Sequence, residues 1–225
     1  MTRLRPFLLA APLLVAAPAQ AGDSGTTYTL DAAKSRVYVQ VFKDTTTAGS
    51  DLSHDHIVLA TGWTGTVKLS VTDPAVCSVD VVVPVSGLQP DQPEMRQKVG
   101  YTVMLTEAQR AQVREHMLGS DQLNGASFSD IRFRATSCSG SAGVAGTGTA
   151  TTATRTVTGE FTLHGVTKTV RIPLRLTFDG TTLRATGAFA AVHEDFALSP
   201  YTAFFGTLRN RSALNFTIDV VGTAR

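Results

Sequence analysis

Gly159-Glu160-Phe161-Thr162-Leu163-His164-Gly165-Val166-Thr167-Lys168-Thr169-Val170-Arg171-Ile172-Pro173-Leu174-Arg175-Leu176-Thr177-Phe178 is the stretch on which the fold turns. From Val170 the apolar residues Val170, Ile172, Leu174, Leu176 and Phe178 alternate with Thr169, Arg171, Pro173, Arg175 and Thr177. A strand points successive side chains to opposite faces, so this alternation buries one face and wets the other. Upstream, Val157, Phe161 and Leu163 stand in phase against Thr158, Glu160 and Thr162. Between the two runs, His164-Gly165 supplies the positive-φ preference that a tight hairpin turn needs. Two long antiparallel strands are predicted.

The same signal extends in both directions. Asp179-Gly180 marks a second turn into a third strand over residues 183–192, and Leu214, Phe216, Ile218 and Val220 make a terminal strand. Towards the amino terminus, strands are expected at residues 28–30, at Val37, Val39 and Val41, over residues 63–71, along Cys77, Val79, Val81, Val83 and Val85, and along Phe128, Ile131, Phe133 and Ala135. One helical insert interrupts them over residues 106–118. There Thr106-Glu107-Ala108-Gln109 has the form of an N-terminal capping box, Leu105, Ala108, Val113 and Met117 form an apolar stripe, and Gly119 ends the run. Another short turn of helix is expected within residues 90–98. Residues 137–154, nearly all Ser, Gly, Ala and Thr, read as a loose hairpin loop.

A meander of this kind leaves exposed edges unless it closes, and closure into a barrel removes them. About eight or nine strands are expected, and the predicted fold is an all-β antiparallel barrel with a helical insert; at eight strands its interior is either filled or holds one small ligand. An outer-membrane barrel fits poorly. Arg171, Arg175, Lys68 and Arg132 share the outward side, aromatic residues are 7% of the chain, and a helix breaks the strand series.

The 225-residue chain opens with Arg3 and Arg5, an apolar run over residues 7–18, and Ala19-Gln20-Ala21. That is the charged, apolar and small-residue order of an export signal, read here as residues 1–21 with cleavage before Gly22 and a single domain over residues 22–225. The apolar run is short and broken by Pro6, Pro12 and Pro18, no later stretch reaches the roughly 20 apolar residues of a spanning helix, and no Cys follows the signal to carry a lipid anchor. Periplasmic or secreted localisation is expected, with no integral membrane segment after cleavage. The chain has 20 basic and 18 acidic residues, and with Arg3 and Arg5 removed the two balance. Without a basic stripe there is no footprint for nucleic acid. In an oxidising compartment the two cysteines, Cys77 and Cys138, are expected to form a disulfide rather than a redox pair, which favours a C-x-x-C spacing.

Four blocks resemble the YceI family of exported lipid-binding proteins. They are Tyr28-Thr29-Leu30-Asp31 with Ser35-Arg36-Val37; His116-Met117-Leu118 with Phe128-Ser129-Asp130-Ile131-Arg132-Phe133; residues 159–168, a strand, a His-Gly turn and Val-Thr-Lys; and Glu194-Asp195-Phe196-Ala197-Leu198 with the closing strand. The third is the most specific, and the resemblance covers residues 28–221. It implies a lipocalin-like eight-stranded barrel with a helical insert that binds a polyisoprenoid, an isoprenoid quinone or a fatty-acid derivative in its lumen. The chain departs from the family pattern at Ala197, where glycine is usual, and at Ser129-Asp130, where Tyr-Pro is common.

On this reading Val39, Val41, Phe133, Phe161, Leu163, Ile172, Leu174 and Leu176 lie on the inward phase and are candidates to line the lumen; equally, they pack a solid core. Tyr201, Phe204 and Phe205 follow Ser199-Pro200 and line or cap the mouth, or plug one barrel end. Ser53-His54-Asp55-His56 sets two imidazoles on one side of an extended chain. They contact a ligand headgroup, serve structural hydrogen bonds, or ligate a metal with a third group from His116, His164, His193 or Glu194. No cofactor is expected other than the bound lipid, and a homodimer is left open. A hydrolase is the competing class, but the chain has no G-x-S-x-G elbow, no H-E-x-x-H and no Gly-rich phosphate loop. Asn210-Arg211-Ser212 and Asn215-Phe216-Thr217 match the glycosylation sequon, the second within a predicted strand.

Overall fold

The computed structural model describes residues 24–146 and 148–225, so the expected export signal lies outside the described residues. The strands are β1 (Thr26–Leu30), β2 (Arg36–Lys43), β3 (His56–Ala60), β4 (Thr64–Leu69), β5 (Cys77–Pro84), β6 (Leu88–Pro90), β7 (Asp130–Gly140), β8 (Val144–Ala145), β9 (Thr151–Leu163), β10 (Val166–Asp179), β11 (Thr182–Val192), β12 (Thr202–Ala203) and β13 (Leu208–Ala224). Two helices, α1 (Pro93–Lys98) and α2 (Glu107–Leu118), lie between β6 and β7.

These segments fill the eight positions of a closed antiparallel barrel. Three positions are broken strands. β1 and β2 lie end to end along β13, with Leu30 opposite Gly222 and Arg36 opposite Asp219. The break between them is a built turn: Asp31 accepts from the amides of Ala33 and Lys34, while Ser35 donates to the Asp31 carbonyl and accepts from Val221 N. β3 pairs with β2 and β4 with β1, and β6 and β5 continue the same register on β3 and β4. The other five positions, β7, β9, β10, β11 and β13, form an unbroken meander, and β13 pairs back onto β1 to close the ring.

The hairpin that decides the fold forms as its residues predict. Leu163 pairs with Val166, and His164 and Gly165 both take positive φ, 51° and 74°. Along β10, Ile172, Leu176 and Phe178 are buried while Arg171, Pro173 and Arg175 are exposed. Gly187, on β11 opposite Leu174, is fixed by close approach: a Cβ there would stand 2.2 Å from the Pro173 carbonyl oxygen.

Two expectations need correction. Residues 137–154 are not a loose loop throughout, because β7 runs on to Gly140 and β9 begins at Thr151, with β8 on its edge. Small side chains do not prevent pairing when the backbone ladder is continued from well-packed neighbours. β3 and β6 are additional strands, too short to stand out as periodic runs. The helical insert forms as expected: α2 begins at Glu107 behind a complete Thr106/Gln109 capping box, with no fully buried residue. Its work is at the edge of the barrel. β6 pairs only with β3 among the described residues, and Arg114 of α2 donates to the carbonyls of Leu88 (3.2 Å) and Ser86 (2.6 Å), satisfying acceptors beside that open edge. Among the described residues, no helix is long and apolar enough to cross a membrane.

Cys77 at the start of β5 and Cys138 on β7 form a disulfide, with Cα atoms 5.7 Å apart.

Candidate functional site

The barrel is hollow. A cavity of about 760 Å³ runs along its interior, within the roughly 300–1,000 Å³ range of small-molecule sites. Its walls follow from the pleat: every second residue of each strand points inward, and most of those that border the cavity are aliphatic or aromatic. Val39 and Val41 of β2, Phe133 of β7, Phe161 and Leu163 of β9, and Ile172, Leu174 and Leu176 of β10 all border it, as do His54, His56, Tyr201 and Phe204. Phe205 does not. It stands fully exposed on the turn between β12 and β13, outside the cavity.

Phe189, Phe216 and Trp63 also border the cavity. Phe161 meets the edges of Phe189, Phe196 and Phe216 at 5.4–5.5 Å between ring centroids, and Phe189 stacks on Phe216 at 4.6 Å. The edge-to-face geometry is the favoured one for aromatic pairs and stiffens this side of the wall. Phe216 and Phe189 were readable from the alternation of their strands, since Leu183 and Ala185 share the phase of Phe189. α2 contributes Val113, His116 and Met117, and the His116 ring lies 5.7 Å from that of Tyr201.

One corner of the lumen is polar. His54 and His56 bring their rings to 4.7 Å. The carboxylate that approaches them is Asp91, not His116, His164, His193 or Glu194. His164 is bonded to the Phe196 carbonyl, His193 to that of Ser212, and Glu194 to the Ser212 hydroxyl. Asp91 is fully buried. Its Oδ2 lies 2.6 Å from His56 Nδ1, and its Oδ1 accepts from Arg96 Nη1 at 2.6 Å and from Ile57 N at 3.2 Å. Burial works against the Asp91 charge, but the hydrogen bonds from His56, Ile57 and Arg96 outweigh it and hold the carboxyl below its ordinary pKa. Arg96, also buried, donates further to the Val103 and Asp55 carbonyls and lies 5.0 Å over the Tyr101 ring, whose hydroxyl accepts from Gln40. A buried ion pair is retained only when its remaining donors and acceptors are satisfied, and this one is.

His54 differs. Its Nε2 is buried without a hydrogen-bond partner, and burial, then the neighbouring His56 and Arg96, lower its pKa. The corner therefore presents a neutral imidazole beside a closed His56–Asp91–Arg96 network. His54, His56 and Asp91 place one donor atom each within 4.8 Å of one another, a spacing open to a metal ion. Such an ion would displace the His56–Asp91 hydrogen bond and stand beside the Arg96 guanidinium. Neither Asp91 nor Arg96 carries a local sequence signal.

At the opposite end Arg155 is buried on the inward phase of β9, donating to the carbonyls of Ser70 and Val71, and Tyr28 contacts Phe178 at 6.3 Å. Desolvation lowers the pKa of this guanidinium.

Among solved structures, BcnA of Burkholderia cenocepacia is similar, 17% identical with a TM-score of 0.57 over 86% of this chain and 99% of that one. A polyisoprenoid binding domain from Saccharophagus degradans is 12% identical, with a TM-score of 0.56 over 89% of this chain and 99% of that one. The YCEI protein of Campylobacter jejuni is 10% identical, with a TM-score of 0.52 over 75% and 84%. At these identities the likeness is one of fold. No curated protein sequence matches the chain. The model of the YceI-like domain matches residues 28–220, from the first barrel strand into the last, and the chain belongs to that family.

Proposed function

We propose that this is an exported binding protein that holds one long-chain amphiphile in its lumen, for transport or sequestration, with the tail along the apolar wall and the polar head at the His54–His56 corner. The observation that carries the reading is the open interior: a barrel of this size can be filled by its own side chains, and here about 760 Å³ is left. Each CH₂ moved out of water contributes about 0.8 kcal/mol, so a dozen buried carbons offer roughly 10 kcal/mol before ordering costs. The head needs polar partners at one place only, and a neutral His54 with an unpaired nitrogen supports that assignment.

Likeness of fold supports a ligand class. The Saccharophagus domain of the same architecture is described as binding polyisoprenoid, which supports a polyprenyl chain or an isoprenoid quinone. The disulfide and the amino-terminal signal support the periplasm or the secreted state.

The test is chemical. Protein purified from its own compartment, weighed by native mass spectrometry and then extracted with organic solvent, should yield close to one apolar molecule per chain. A chain that arrives empty and takes up neither farnesol nor N-phenyl-1-naphthylamine would overturn the reading.

A further inference from the structure

The turn between β12 and β13 is built against ordinary preference. Phe204 and Phe205 are consecutive and both left-handed, at φ 50° and 55°, followed by Gly206 at 84°. Large non-glycine residues rarely take this conformation, and a tight turn that needs it is normally made of Asn, Asp or Gly. Both rings also face water, Phe204 at 73% exposure and Phe205 completely. Beside them stands Leu52, 83% exposed, on a short turn tied to the hairpin by a 3.1 Å hydrogen bond from Gly49 N to the Thr207 carbonyl. Leu52 and Phe204 border the cavity, so the exposed cluster is the rim of its mouth. Folding gains nothing from strain and exposure together, and strained residues of this kind gather at functional sites.

We infer that the Leu52–Phe204–Phe205 rim dips into the hydrocarbon of a lipid bilayer and sets the lumen mouth against it. The inference rests on the lumen being an amphiphile site. A molecule that fills an apolar tunnel is held in membranes rather than in water, and a mouth pressed into the bilayer spares it the aqueous step.

Area and charge both point to this occupant. A buried aromatic side chain contributes 150–250 Å². Two phenylalanines and a leucine therefore fall well short of the roughly 800 Å² per partner of a stable protein interface, but they suffice for shallow, reversible insertion. Around the rim Lys43, Arg209 and Arg211 are matched by Asp44, Asp51 and Asp55. Arg209 is paired with Asp44, Lys43 donates to the Ser50 and Ser53 carbonyls, and Arg211 donates to Thr45. With no net charge at the rim, attachment is apolar. It needs no anionic lipid and persists in high salt.

The test uses the full mature chain and its Phe205→Ser variant, since Phe205 lies outside the cavity. Co-sedimentation with vesicles of phosphatidylcholine alone should show reversible binding that is unchanged by added phosphatidylglycerol or salt and weakened about tenfold by the substitution. The variant should still take up N-phenyl-1-naphthylamine from water as the parent does, while drawing a pyrene-labelled fatty acid out of vesicles more slowly. A parent protein that binds the aqueous probe but ignores the vesicles overturns the inference. So does a variant whose only change is a smaller mass by light scattering, which assigns the rim to a second copy of the chain. Failure of the aqueous probe in both proteins instead overturns the lumen reading.

Discussion

Ala197 closes the short turn Val192 opens, and it does so at φ 53°, in the left-handed region that penalises a Cβ. The resemblance leads one to expect glycine there, and the geometry gives a reason: the left-handed backbone at Ala197 turns the amide of Leu198 back to the His193 carbonyl at 3.1 Å. Ala197→Gly should therefore raise stability by about 0.5–1 kcal/mol, the left-handed penalty relieved less the extra freedom glycine gives the unfolded chain. Urea unfolding followed by Trp63 fluorescence reads it, and a midpoint that falls would show the strain is absorbed elsewhere. The residue scale is also where the sequence was least legible. His54 and His56 were visible as a pair, but their partner was not. Asp91 and Arg96 are ordinary charges in an unremarkable stretch, and their burial depends on β3, over 30 positions earlier, arriving with Ile57 N and His56 Nδ1 in place. No local pattern encodes a meeting of that kind.

Elements were easier to read, in proportion to their length. β10, with fourteen residues and a clean alternation, was legible outright, and so was α2 from its capping box. β6, at three residues, was not, because it is extended chiefly by the register it inherits from β3. The loop assigned to residues 137–154 failed for a related reason: composition describes side chains, whereas the Cys138–Val157 and Ser139–Thr156 pairings are made by backbone. The disulfide acts at this scale. It joins β5 to β7 across a sequence separation of 61, and by loop entropy closing such a span removes about 4 kcal/mol from the stability of the unfolded chain. The double variant Cys77→Ser, Cys138→Ser should unfold at a markedly lower denaturant concentration. Equal midpoints with and without the bridge would mean that the unfolded chain already holds β5 and β7 together.

For the whole molecule, alternation told which side chains face inward, and the need to remove edges told that the sheet closes into a ring. Whether the interior is solid was not encoded locally, since void volume is what remains after every wall residue has chosen its rotamer. The same residues would serve either state. Val39→Trp separates them: it adds an indole to a wall residue that already borders open space. We expect uptake of N-phenyl-1-naphthylamine to weaken at least about tenfold while stability changes by less than about 1 kcal/mol, because nothing is overpacked. A large destabilisation with uptake intact would place Val39 in packed core.

The interrupted strands all lie on one side of the ring. From β7 to β13 the staves run whole, while β1–β2, β3–β4 and β5–β6 are each jointed in the middle. Compliance is therefore expected to be unequal around the circumference: five positions are continuous staves, and the other three are a shutter with their joints in line. If the lumen holds the proposed amphiphile, a guest of greater girth is expected to be accommodated by that jointed side bowing outward, and the range of molecules admitted would be set by the amino-terminal strands.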